Sequence, residues 1–136
     1  MTDSTTASAN ETTLRAVFAA ITSGSYDTIA SHVTEDLHFE LPYAPKGVPA
    51  VTDGRDEWDQ GMQMTFAMFD NFTNTLDEIY PGADPDLIVA EYHSDATVRS
   101  NGKNYRNRYV GIFRFRDGKI CAWKEFHDPR ATSVLM

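Results

Sequence analysis

Leu14, Val17, Phe18 and Ile21 recur at the spacing that places side chains on one face of an α-helix, and Gly24 follows as a stop. Ser25 stands where it can cap a second short helix, with Tyr26, Ile29, Ala30 and Val33 as its apolar face. The period then drops to two. Leu37, Phe39, Leu41 and Tyr43 alternate with His38, Glu40 and Pro42, the pattern of a half-buried strand. Residues 44–54 hold Pro45, Gly47, Pro49 and Gly54 and read as a loop. A third helix starts at Asp53 or Gly54 and carries Trp58, Met62, Phe66 and Phe69 on one face. Strands follow to the end, over 73–80, 87–99, 104–116 and 119–128. Asn101-Gly102 and Asp117-Gly118 separate the last three, and each is the pair that a type I′ hairpin turn favours. Helices first and hairpin-linked strands afterwards predict an α+β fold, with about three N-terminal helices packed on a curved, mostly antiparallel sheet.

Composition narrows the class. The 136 residues suit one domain over 12–136, and the polar, Ser/Thr-rich residues 1–11 read as a disordered tail. Hydrophobic residues at 41% and charged residues at 24% are ordinary globular usage. Twelve Lys and Arg against 20 Asp and Glu leave a formal charge of −8, the wrong sign for a nucleic-acid partner. No apolar run reaches the roughly 18–20 residues of a membrane span, and the first residues lack the features of a signal peptide. Cys121 is the single cysteine, which removes an internal disulfide and a Cys-rich zinc site. Neither a Walker A run nor a Gly-x-Gly-x-x-Gly run is present, so no nucleotide cofactor is expected. The expectation is a cytoplasmic, cofactor-free domain.

Alternation sorts the faces of the sheet. Ile88, Ala90, Tyr92, Ala96 and Val98 share the apolar face with Tyr105, Asn107, Tyr109, Phe113 and Phe115. Glu91, His93, Asp95 and Arg99 lie opposite, with Arg106, Arg108, Arg114 and Arg116, as a lattice of charge pairs on a solvated or dimer surface. On the last strand, Cys121, Trp123, Glu125 and His127 share one face, and Ile120, Ala122, Lys124 and Phe126 share the other. Glu125 therefore sits with aromatics. Burial raises the pKa of such a carboxyl toward neutrality, where it both gives and takes protons. Two readings stand: Glu125 as the general acid/base of an apolar cavity, with His127 as a partner, or a structural glutamate hydrogen-bonded to backbone or tyrosine.

Tyr43, Tyr92, Tyr105, Asn107 and Tyr109 are the candidate orienting groups around a ligand. Met62, Thr65, Phe66 and Phe69 would form a helical lid, with Trp58 at the mouth and Trp123 beside Glu125; plain core packing is the alternative for each. Three pairs at strand spacing, His38/Glu40, Glu91/His93 and Glu125/His127, have the residue types of metal chelators. They do not converge on one face, so no metal site is expected. Cys121, with no Gly-rich oxyanion loop nearby, reads as a structural thiol.

The element order resembles the SnoaL-like (polyketide-cyclase-like) branch of the nuclear-transport-factor-2-like superfamily. Three stretches carry the resemblance: from Ser23-Gly24-Ser25-Tyr26 through Glu35-Asp36-Leu37-His38-Phe39, then Arg114-Phe115-Arg116-Asp117-Gly118-Lys119-Ile120, then Trp123-Lys124-Glu125-Phe126-His127-Asp128. Tyr105-Arg106-Asn107 and Lys124-Glu125-Phe126 are nearest in pattern to the phenazine-biosynthesis A/B proteins. The resemblance implies a cone-shaped α+β barrel whose mouth holds a small ligand, and a homodimer through the sheet. The acid/base glutamate of the phenazine proteins matches Glu125, whereas their helix-borne histidine falls near Gly61. The three catalytic positions of ketosteroid isomerases fall near Val17 and at Leu41 and Gly111, so that reaction is not implied. The expected function is a cofactor-free acid–base enzyme, of isomerase, cyclase or condensation type, for a small hydrophobic cyclic or aromatic molecule. The alternatives are a non-catalytic binder of the same fold and a protein-interaction module.

Overall fold

A computed structural model describes the backbone of residues 2–135 and the side chains of residues 5–135. Its elements run α1 (Thr2–Ser23), α2 (Tyr26–Ser31), β1 (Val33–Glu40), β2 (Val51–Asp53), α3 (Arg55–Phe66), β3 (Phe69–Pro81), β4 (Leu87–Val98), β5 (Asn104–Arg116) and β6 (Lys119–His127), then a 3-10 helix over Pro129–Leu135. The strands form one six-stranded sheet in the order β2-β1-β6-β5-β4-β3. Only the β1–β6 pair is parallel, and the first and last strands of the row leave the sheet curled rather than closed. Among the described residues no helix is long and apolar enough to cross a membrane.

The helices cover one face. Leu14, Val17, Phe18 and Ile21 of α1, Ile29 of α2, and Trp58 and Met62 of α3 are buried against Ile88, Tyr92, Phe113, Ile120 and Trp123 of the sheet. Burying one such side chain is worth about 1.5–3 kcal/mol, so this layer is what holds the curled sheet to its helices. A second, smaller cluster joins Phe69, Ala96, Val98 and Tyr105, and Ala131, Val134 and Leu135 of the 3-10 helix pack on it. The apolar C-terminal segment thus folds back onto its own sheet; Met136 lies outside the described residues.

Helix α1 ends as the sequence predicts. Gly24, at φ 72°, lets its own N–H reach Ile21 O at 3.2 Å and the Ser25 N–H reach Ala20 O at 2.9 Å. Those two bonds form a Schellman stop. The start differs from the expected disordered tail, because α1 begins at Thr2 (Met1 lies outside the described residues). Serine and threonine are weak helix formers, but tertiary anchors override propensity here. Asn10 is fully buried and donates from Nδ2 to Pro85 O and Asp86 Oδ1, and Thr13 donates to Gly118 O.

Four further expectations shift. Ser25 precedes α2 without a side-chain cap, since its hydroxyl pairs with that of Ser23 at 2.8 Å. Phe69 is not on α3 but opens β3. Asp117 and Gly118 both have positive φ, 52° and 78°, as a two-residue type I′ turn requires. At Asn101-Gly102 only Gly102 is left-handed, and the bonds from Gly102 N to Val98 O and from Val98 N to Lys103 O close a longer loop. Finally, the β5–β6 register slips between Arg114 and Phe115, leaving Cys121 as the extra residue of a bulge. That bulge turns Ile120 into the core beside Trp123's face, instead of leaving it with Lys124.

Candidate functional site

The inner face of β4, β5 and β6 reads in rows. Ile88, Phe113 and Trp123 form one row; Ala90, Gly111 and Glu125 the next; Tyr92, Tyr109 and His127 the third. The middle row contains a glycine, an alanine and one carboxyl group. Over this trough lean Tyr92 and Phe113. The Tyr92 ring stacks on Tyr109 with centroids 5.1 Å apart, and its hydroxyl spans two strands to donate to Glu125 Oε1 at 2.5 Å. The indole N–H of Trp123 donates to the same Tyr92 oxygen at 3.1 Å.

Among the described residues Glu125 has no ion-pair partner. Burial among these rings pushes its carboxyl up from the usual 4.5 to about 7, against the smaller opposing pull of the Tyr92 hydrogen bond. Glu125 as a whole residue is half-buried, with its carboxyl desolvated. Tyr92 itself is 1% exposed, and burial first, then the Glu125 charge, hold its hydroxyl well above the usual phenol range. His127 shares the face. Burial pulls its pKa down, with Asp128 opposing, and its Nε2 is buried without a hydrogen-bond partner among the described residues. A neutral imidazole with a bare ring nitrogen and a carboxyl that titrates near neutrality thus sit two strand positions apart.

A second polar string runs deeper. Ser94 Oγ and the Tyr109 hydroxyl lie 2.7 Å apart, the Tyr109 and Tyr105 hydroxyls 3.2 Å, and Asn107 Nδ2 donates to Tyr105 at 2.8 Å. Burial raises the pKa of both Tyr105 and Tyr109. Asn107 also donates to Asp128 O and accepts at Oδ1 from the N–H groups of Arg108 and Asp128. Two donors and two acceptor positions are then all used, which leaves Asn107 nothing to offer a ligand. It pins the end of β6, next to His127.

The structure brings together Glu125, His127, Tyr92, Tyr109 and Trp123, with Trp58 packed on Trp123 at 5.7 Å. Trp58 and Met62 are core residues, 6% and 8% exposed, rather than a rim. Phe66 is half-buried between Tyr26 and Phe72, and Phe69 stacks on Tyr105 in the second cluster. Two candidates are not with the others. Tyr43 lies beyond the end of β1, is 56% exposed and packs on Phe126. Thr65 is exposed, with its hydroxyl turned back to Gly61 O at 2.9 Å along α3. Ser94 and Phe39 were missed. Both fall on the apolar alternation of their strands, and Phe39 packs edge-on against Trp123.

The outer face behaves differently. His38 sits between Asp53 Oδ1, 2.5 Å from Nδ1, and Glu40 Oε1, 2.9 Å from Nε2. The two carboxylates hold opposite ring nitrogens, and among the described residues no group of three metal-ligating side chains converges. Arg116 pairs with Asp36, Arg106 with Asp95 and His93 with Asp77. An open cleft of about 360 Å³ lies between the start of α1 and the Asp117-Gly118 turn, lined by Asn10 and Asp86 among others, away from Glu125.

Comparison with known proteins follows the same lines. The model of the SnoaL-like domain matches residues 14–123. A PhzA/B-like protein of Pseudomonas aeruginosa, itself uncharacterised, is 32% identical over 91 residues, 66% of this chain. The chain spans 63% of that relative's own length, just under two thirds. Among solved structures, a candidate isomerase of Bacillus subtilis superposes with a TM-score of 0.86 at 24% identity, covering 99% of this chain and 95% of that one. IdmH, a candidate polyketide cyclase of Streptomyces antibioticus, gives 0.77 at 22% identity, covering 93% and 96%. At these identities the two superpositions speak to the fold.

Proposed function

The chain belongs to the SnoaL-like domain family, and from that premise we propose that it is a cofactor-free acid–base enzyme for a small hydrophobic cyclic or aromatic molecule. The reaction is of isomerase, cyclase or condensation type. Glu125 is the group that moves the proton, and His127 is the second proton-active group. The observation that carries this reading is a carboxyl on an aromatic face, with no ion-pair partner among the described residues and a pKa raised to about 7 by burial. Ionised, it takes a proton from a carbon made acidic by a neighbouring carbonyl. Neutral, it returns that proton to another atom of the same ligand. Efficiency is greatest when such a pKa lies near the working pH. The names of the similar structures, an isomerase and a polyketide cyclase, support the reaction class.

The ligand is uncharged in this reading, because among the described residues no Lys or Arg acts on Glu125 as a counter-charge. Tyr109 and the rings of Trp123 and Phe39 supply the apolar wall. The test is a turnover screen with cyclic ketones and aromatic hydroxy compounds, run on the native protein and Glu125→Gln in parallel. Turnover that survives the substitution would sink the catalytic role.

One observation favours a second reading, a non-catalytic binder. Ser94, Tyr105, Tyr109 and Asn107 satisfy one another, so few polar groups remain to orient a reacting ligand. Binding of a screened compound to both proteins, with no turnover by either, would select this alternative. A homodimer through the outer sheet face belongs to the same proposal, with the exposed Val110 near its centre, 38% exposed. A single species of about 15.3 kDa in sedimentation at micromolar concentration would contradict it.

A further inference from the structure

Gly111 is a glycine for reasons of space. Its φ lies outside the left-handed region, so the backbone alone accepts any residue there. It sits mid-strand, directly across from Ala90 on one side and Glu125 on the other. A Cβ at this position would lie 2.6 Å from Phe113 Cε2 and 2.7 Å from the Tyr92 hydroxyl oxygen. Both distances are well inside van der Waals contact, and Phe113 and Tyr92 are 0% and 1% exposed, so neither ring can swing out into solvent without leaving the core. The space left by the missing side chain is therefore the space the Tyr92 hydroxyl crosses on its way from β4 to Glu125 on β6.

Trp123 sets the direction of that bond. An indole N–H only donates, so it occupies a lone pair of the Tyr92 oxygen. The single hydroxyl proton of Tyr92 is then committed to Glu125 Oε1. Oε1 stays an acceptor whether the carboxyl is charged or neutral, and among the described residues Oε2 has no hydrogen bond of its own. The proton that Glu125 exchanges belongs on Oε2.

We propose that Gly111 is a positioning residue for Glu125, acting through Tyr92: its missing side chain admits the hydroxyl that occupies Oε1 and leaves Oε2 as the working oxygen. The proposal rests on Glu125 being the proton-moving group, but its test does not require a substrate. The experiment follows the Glu125 side-chain carboxyl by ¹³C NMR titration in the native protein, Tyr92→Phe, Gly111→Ala and the double variant. Losing the hydroxyl removes a bond that favours the charged carboxylate, so Tyr92→Phe shifts the titration upward. Gly111→Ala shifts it in the same direction, and adds no further shift on top of Tyr92→Phe. A folded Gly111→Ala protein with the native titration would overturn the proposal, as would a full additional shift in the double variant. If Gly111→Ala does not fold, Phe113→Leu is added to clear the ring contact, and the same two outcomes decide. Loss of turnover tests the proposed function, whereas this titration tests Gly111, so either can fail alone.

Discussion

β1 and β6 each carry a glutamate and a histidine two residues apart, and the two pairs have opposite fates. On β1 the pair faces outward, where His38 lies between the carboxylates of Glu40 and Asp53. Hydrogen bonds to Asp53 and then Glu40 raise the pKa of His38. On β6 the pair faces the aromatic interior. Burial lowers His127 and raises Glu125 to about 7. Sequence spacing is identical; what differs is the side of the sheet. Outside, charges find counter-charges and water, and the pair is a surface ion cluster worth little. Inside, burial outweighs the opposing Asp128 charge at His127, and Glu125 has no ion pair among the described residues, so each is pushed toward its neutral form, the condition for moving protons near neutral pH.

The contrast breaks in order of size. Glu125→Gln keeps the shape and removes the proton; turnover of a substrate found by screening falls by about 10²–10⁴-fold, read as kcat in a direct assay. The same variant separates from the native protein in stability. Glu125 has a folded-state pKa above its unfolded value of 4.5, so its contribution is fully present below pH 4.5 and is lost as pH rises through about 7. Above pH 7 the Gln variant melts higher, by on the order of 3 kcal/mol at most, and below pH 4.5 the difference disappears in thermal melts across that range.

His127 gives a smaller effect of opposite sense. Its folded pKa is lowered, so the unfolded chain takes up the proton first and stability is lost as pH falls below 6.5. In urea titrations, His127→Phe removes that part of the acid sensitivity. The smallest effect belongs to the outer pair. The contribution of His38 is full below pH 6.5 and fades as pH rises through its raised folded value. Because the cluster is solvent-exposed, His38→Asn shows its difference from the native protein at low salt and loses it at high salt.

The inward position of Glu125 was legible, because Trp123 two residues before it marks the buried face of β6. Its partner was legible only as one of several candidate tyrosines. Tyr92 reaches Glu125 across an intervening strand, and nothing in the alternation of β4 shows that Gly111 on β5 leaves the path open. Tyr43 was misplaced because β1 stops at Glu40, beyond which period-two reasoning has no strand to act on. Ile120 was placed outside because the bulge at Cys121 shifts the register by one residue. The helical start of α1 was hidden for a different reason: its anchors, Pro85, Asp86 and Gly118, lie far away along the chain. The hairpin order, the third helix and the inner and outer faces of β4 and β5 follow from local pattern alone, and these are the parts that the structure reproduces.

The central claim is that Glu125 is a desolvated carboxyl without a counter-charge. The most direct measurement is its ¹³C carboxyl titration by NMR, assigned with Glu125→Gln. A midpoint near 7 is the result expected from its burial. A midpoint at or below 4.5 would mean a solvated or ion-paired carboxylate, and the acid–base reading would fall with it.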